Sequence, residues 1–213
     1  MLKQTLAVTA GAAAMTLLPV ASAMASNVDD PWLIRLRGIS VMPDEGATIT
    51  PIGGDVDIEN QIVPELDISY FFTENFALEL ILATTPHDVA AEATALGDVD
   101  LGDVWLLPPT LTAQYHFNPR GDFRPYVGAG INYTIFYNED EGPVASAIDY
   151  SNEFGFALQA GVDVPLNDTW FFNVDVKKVW LGTDVEIQAA GTTVNADVDI
   201  DPLIVGVGVG RRF

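Results

Sequence analysis

From Val127 onward the chain repeats with a period of two: Val127, Ala129, Ile131, Tyr133, Ile135 and Tyr137 are apolar or aromatic, while Gly128, Gly130, Asn132 and Thr134 between them are small or polar. That period belongs to a β-strand, whose successive side chains point to opposite faces. The pattern recurs in Phe154, Phe156, Leu158, Ala160, Val162 and Val164, set against Gly155, Ala157, Gln159, Gly161 and Asp163. It recurs again in Leu203, Val205, Val207 and Val209, set against Ile204, Gly206, Gly208 and Gly210, before the chain ends at Phe213. A helical bundle cannot use such segments, because a stripe of period two spirals around a helix instead of staying on one face.

Composition narrows the class. Hydrophobic residues make up 49% of the 213, yet 30 acids face only 9 Lys and Arg, for a net charge of -21. So much apolar surface excludes a disordered chain, and so much negative charge excludes a phosphate-backbone partner such as DNA or RNA. The absence of Cys excludes disulfides, thiolate metal sites and cysteine catalysis. Residues 1–25 read as a cleaved secretory signal: Lys3, an uncharged run from Thr5 to Val20, then Ala23-Met24-Ala25. The mature chain, 26–213, has no apolar run of the ~20 residues that a membrane helix needs, so any membrane-spanning structure must be built of strands.

Eight strands are predicted, at about 32–42, 58–72, 76–86, 104–117, 124–137, 150–164, 170–182 and 199–213. Short links at 73–75, 118–123 and 165–169 alternate with long ones near 43–57, 87–103, 138–149 and 183–198. All short links then fall at one end of an eight-stranded antiparallel up-and-down transmembrane β-barrel, with short periplasmic turns and long extracellular loops. Aromatic residues flank each short turn, with Tyr70, Phe71, Phe72 and Phe76 at the first, Tyr115, Phe117, Phe123 and Tyr126 at the second, and Trp170, Phe171 and Phe172 at the third, as a headgroup girdle requires. The long links and their strand ends carry 20 of the 30 acids. These either bridge divalent cations to lipopolysaccharide and steer ligands, or simply keep the rim solvated.

Several motifs resemble those of the OmpW family of outer-membrane proteins. They are Trp32 to Gly38, Leu66 to Asn75, Leu107-Pro108-Pro109-Thr110-Leu111, Gln114-Tyr115-His116-Phe117, Arg124 to Tyr133, Ile200-Asp201-Pro202, and the Gly-rich end closing in Arg212-Phe213. The resemblance covers essentially the whole mature chain and implies an outer-membrane location, no cofactor, and passive uptake of small hydrophobic compounds past the lipopolysaccharide barrier. It also implies folding by the barrel-assembly machinery. Arg211 stands where such a closing strand usually has an apolar or aromatic residue, so that recognition leans on Phe213.

If Gly128, Gly155 and Gly206 face inward, parity fills the lumen in two layers. Near the short turns lie Arg35, Asp67, Glu79, Gln114, His116, Gln159, Asp163, Asp175, Lys177 and Arg212, expected to pair as a polar plug. Nearer the long loops lie Ile39, Val41, Val63, Ile81, Leu106, Phe136, Val179, Leu181 and Ile204. An eight-stranded barrel has room for filling side chains or one small ligand, so this layer is either a pocket for a greasy solute or a self-packed minicore. Pro64, Pro108 and Pro109 are candidates for a lateral exit, since proline removes a ladder donor; they could equally shift the register by one. The alternative function is a non-transporting structural or receptor barrel whose acidic loops meet cations, lipopolysaccharide or phage. Catalysis would have to use His87 or His116, of which the first is expected in a loop and the second as a satisfied lumen histidine.

Overall fold

The computed structural model of the chain describes residues 28–95, 97–189 and 191–213; the expected signal, 1–25, lies outside the described residues. The strands are β1 (Trp32–Met42), β2 (Gly46–Thr50), β3 (Asp55–Ile58), β4 (Gln61–Phe71), β5 (Phe76–Ala83), β6 (Thr85–Thr94), β7 (Gly97–Leu107), β8 (Thr110–His116) and β9 (Arg124–Glu141). They continue with β10 (Ala147–Tyr150), β11 (Glu153–Pro165), β12 (Trp170–Trp180), β13 (Gly182–Ala189), β14 (Thr192–Asp199) and β15 (Leu203–Arg212).

Eight of these, β1, β4, β5, β8, β9, β11, β12 and β15, form a closed antiparallel ring. Closure is set by side-chain size as well as by ladder bonds. Gly208 sits opposite Arg37 in the β1–β15 register, and a Cβ there would overlap the backbone at Leu36 and Arg37. The bare backbone lets a full arginine lie across the lumen beside it. On the other face, Leu36, Val127, Ile131 and Val207 are exposed, as residues facing hydrocarbon must be. Rings belt this face at both ends: Trp32 on Tyr70 and Phe76 on Tyr115 near the short turns, Trp105 near Tyr137 at the far end. The short turns are closed by their own side chains, with Thr73 Oγ1 accepting from the amides of Asn75 and Phe76, and Asn167 Oδ1 from those of Thr169 and Trp170.

The long links are not loops. Segments 76–86 and 104–117, expected as unbroken barrel strands, each divide in two, at Thr84 and at Pro108-Pro109, and 58–72 divides between β3 and β4. Beyond the breaks, β6 and β7 pair with each other, β6 also with β3, and β7 with the upper part of β9. A second sheet, in the order β10-β13-β14-β2, faces them. These strands repeat the period-two design with a different outside: Asp57, Asp88, Asp100, Asp184, Glu186 and Asp197 are exposed, while Val56, Val89, Leu101, Val185, Ile187 and Ala196 are buried in one apolar core. The acids thus form the outer skin of a vault that stands on the barrel, and segregation of greasy from charged surface is achieved twice along each hairpin.

Candidate functional site: the lumen and the vault above it

The lower lumen is filled by an ion-pair network centred on two arginines of β1. Arg35 grips Asp163 with two nitrogens, Nε at 3.1 Å and Nη2 at 2.6 Å, and gives Nη1 to Glu79 at 2.5 Å and Ser69 at 2.8 Å. One turn of the pleat higher, Arg37 lies 2.6 Å from Asp67, 3.0 Å from Glu65 and 3.2 Å from Asp175. Lys177 joins Glu65 at 2.6 Å to Asp175 at 3.1 Å. Amides stitch the carboxylates together: Gln114 and Gln159 both donate to Glu79, and Gln159 also to Asp175. The Tyr126 hydroxyl donates to Asp175 at 2.7 Å and accepts from Asn173 at 3.1 Å. Charges so far from water require partners at this density, because an unpaired ion in such surroundings costs several kcal/mol.

Of the expected polar layer, Arg35, Asp67, Glu79, Gln114, Gln159, Asp163, Asp175 and Lys177 all lie in this network. Arg212 stands apart at the short-turn end, half-buried, its guanidinium 4.1 Å from the centre of the Phe71 ring. His116 is sandwiched between Phe71 and Tyr126, with ring centres at 4.8 and 5.0 Å, and its Nε2 shares a hydrogen bond with Gln114. Sequence reasoning missed Arg37, Glu65, Ser69 and Asn173, and it placed Phe71, Tyr126 and Phe171 in the girdle, whereas all seven are buried inside the barrel. The signal was present: each falls on the inward parity of a strand whose neighbouring inward residue was identified. His87, expected in a loop, is instead buried in β6, with its Nδ1 3.0 Å from the Glu59 carbonyl. The cause is the same one that removed the loops, since β6 carries the barrel's parity past Thr84.

Above the plug, Ile39, Val41, Val63, Ile81, Leu106, Phe136, Val179 and Leu181 are buried and Ile204 packs against them half-buried. The space they leave is small. A cavity of about 50 Å³ is bounded by Ile39, Ile81, Leu106, Val179 and Leu181 at its sides and by Glu65 and Lys177 at its floor. Val63 and Phe136 do not line it. Pro108 borders it, its carbonyl accepting from Asn132 Nδ2, and the Pro109 carbonyl accepts from the Tyr133 amide. Neither proline displaces the parity, as Leu106 and Thr110 on either side are both buried. Pro64 is exposed on β4 opposite Gly38.

One wall is incomplete at this level. The β4–β5 ladder ends at Glu65 opposite Ala83, yet β4 runs on to Gln61 with β1 as its partner on the other side. Among the described residues no ladder joins Gln61–Pro64 to β5 or β6, because β6 has turned to β3 and β7. Farther out, the vault encloses a second and larger cavity of about 380 Å³, lined by Ile49, Val56, Val89, Leu101, Tyr150 and Ile187 among others.

Known proteins share this construction. The OmpW family matches residues 31–213. The chain is 44% identical to the uncharacterized outer-membrane protein y4mB of Sinorhizobium fredii, over 96% of its own length and 90% of that protein. It is 36% identical to outer membrane protein W of Escherichia coli, over 96% and 98% of the two chains. The crystal structure of the outer membrane protein OprG from Pseudomonas aeruginosa matches with a TM-score of 0.80 at 28% identity, covering 85% of this chain and 95% of that one. The closed ring with its aromatic belts, the inward arginines and the full-length match together make this chain a member of the OmpW family of outer-membrane β-barrel proteins.

Proposed function

We propose that the protein is a passive conduit that takes small hydrophobic molecules from the extracellular side and releases them sideways into the outer membrane. The observation that carries this reading is the order of layers along the barrel axis: apolar vault, apolar lumen, then a plug of paired charges. A greasy solute entering from above finds apolar walls as far as Glu65 and Lys177, where continuing would mean displacing buried ion pairs. Sideways, the unpaired edge of β4 at Gln61–Pro64 demands no ladder bonds to be broken, and Ala83, at the end of β5, borders the cavity on that side. Water and ions have no comparable route, since the plug spans the lumen from β1 to β11.

Uptake of toluene into vesicles containing the protein, compared with protein-free vesicles, tests the reading. Acceleration by the protein, reduced several-fold by Ala83→Trp at the border of the gap, is the expected result. Equal rates with and without protein would leave a structural or receptor barrel as the function.

A further inference from the structure

We propose that the periplasmic mouth of the barrel binds an oxyanion, a phosphate or carboxylate group held between the guanidiniums of Arg124 and Arg212. The inference is independent of the conduit reading, since it concerns the opposite end of the lumen, beyond the plug.

Ion pairing singles out these two side chains. Lys3 apart, eight of the nine Lys and Arg share the chain with 30 acids, so a carboxylate is available to almost any cation that needs one. Five of the eight, Arg35, Arg37, Arg120, Lys177 and Lys178, are paired. Arg124, Arg211 and Arg212 make no ion pair among the described residues, and all three lie at the short-turn end. Arg211 is exposed on the outward parity. The other two face inward: Arg212 stands opposite buried Leu33, and Arg124 precedes buried Tyr126 by two residues.

Their geometry leaves donors unspent. Arg212 lies over the ring of Phe71 at 4.1 Å and Arg124 over that of Phe171 at 5.0 Å, and the two rings share one apolar cluster with Leu33 and Ala77. A guanidinium stacked by its face keeps its N–H edge for an acceptor in the same plane. Arg124 gives Nε to the Gly121 carbonyl at 2.9 Å. Arg212 Nε is buried and has no acceptor among the described residues. A ligand oxygen would remove the cost of that unmade bond.

The chain's own carboxylates do not fill the place. Asp163, opposite Arg124 in the β9–β11 register, has both oxygens held by Arg35 and one also by Asn173. Asp30 and Asp122 are exposed and pair with neither arginine. Deeper in, the plug sets Glu65, Asp67, Glu79, Asp163 and Asp175 against only Arg35, Arg37 and Lys177. That excess of negative charge stops an anion at the mouth. Two planar donor edges favour a group with several acceptor oxygens over a spherical halide.

Arginine Nε–H signals of the full-length protein in nanodiscs of zwitterionic lipid provide the test. Inorganic phosphate and, separately, acetate replace chloride at constant ionic strength. Signals of Arg124 and Arg212 that move together with one midpoint are expected in at least one of the two titrations. Arg124→Gln and Arg212→Gln, each read on the remaining arginine, should weaken binding several-fold, whereas Arg211→Gln should leave the midpoint unchanged. Should Arg212→Gln fail to fold, Arg124→Gln carries the same test. Nanodiscs containing phosphatidylglycerol separate the sources of the anion: signals already displaced before phosphate is added identify a lipid headgroup, and signals that still await phosphate identify a free anion. Movement no greater in phosphate or acetate than in chloride, separate midpoints for the two arginines, or an affinity unaffected by either substitution would overturn the proposal.

Discussion

Arg35 and Asp163, separated by 128 residues in sequence, meet across the barrel with two parallel N–H···O bonds. Both are buried, and the pair ties β1 to β11, which are not neighbours in the ring. Substituting Arg35→Ala leaves Asp163 as a buried carboxylate without its ion-pair partner and Glu79 with only the longer contact to Arg37, at 3.5 Å. Breaking one partner of a buried pair costs ~3–5 kcal/mol, so the urea midpoint of the protein refolded in lipid should fall by a corresponding amount. A midpoint shift worth less than ~1 kcal/mol, the ceiling for an exposed pair, would show that water reaches the network.

The plug should also act as a seal. Arg37 occupies the centre of the lumen among Glu65, Asp67 and Asp175. Removing it by Arg37→Ser both opens space and leaves a cluster of negative charge. In planar bilayers the unaltered protein is expected to give no conductance steps, and Arg37→Ser to give small cation-selective ones. Equal conductance from both proteins would mean that ions already bypass this layer.

Tyr126 holds its place through a missing methyl group. Gly161 lies beneath the phenol, and a Cβ there would overlap the Tyr126 hydroxyl. Gly161→Ala should push the ring away, break its bond to Asp175 and cost ~1–3 kcal/mol as overpacking does. Thermal unfolding of the barrel, followed by its gel mobility, measures this; an unchanged transition would show that the tyrosine has room to move.

The outer skin of the vault should respond to pH. Asp103 faces Asp88 across the β6–β7 ladder and Asp140 across β7–β9. A hydrogen bond shared with Asp88, slight desolvation, and the negative charge of Asp88, Asp140 and Asp100 raise the pKa of this exposed carboxyl above the ordinary aspartate value. A carboxyl raised in the folded state binds its proton more tightly there than in the unfolded chain, so it favours folding at low pH and loses that contribution as pH rises through the raised value. Amide exchange in β6 and β7 should therefore be slower at mildly acidic than at neutral pH after correction for intrinsic rates. Asp103→Asn should flatten the dependence. A variant with the same pH profile as the unaltered protein would place the sensitivity elsewhere.

The barrel was readable because its strands alternate without interruption between hydrocarbon and lumen, and period two survives even where glycine replaces larger side chains. Parity from Gly128 and Gly206 carried directly to Arg35, Asp175 and Lys177. Arg37 and Glu65 obey the same parity and were passed over because sorting residues into two layers left the middle of each strand unassigned. The vault was hidden by its acids. In Asp98-Val99-Asp100-Leu101 and Asp184-Val185-Glu186-Ile187 the alternation is as regular as in the barrel, but charge density read as solvated loop. What could not be read was pairing: that β6 would leave β4 and turn to β3 and β7 depends on partners distant in sequence, and the gap in the wall follows from it.

Strand β9 runs 18 residues without a break, from Arg124 at the short-turn end to Glu141 in the vault. At ~3.3 Å per residue that is about 60 Å of strand, or about 45 Å of height at a tilt of ~40°. The apolar band of an outer-membrane barrel is ~25 Å tall. Some 20 Å of wall therefore rises above the apolar band, and on the conduit reading proposed above the entrance for a solute stands clear of the bilayer instead of at its surface.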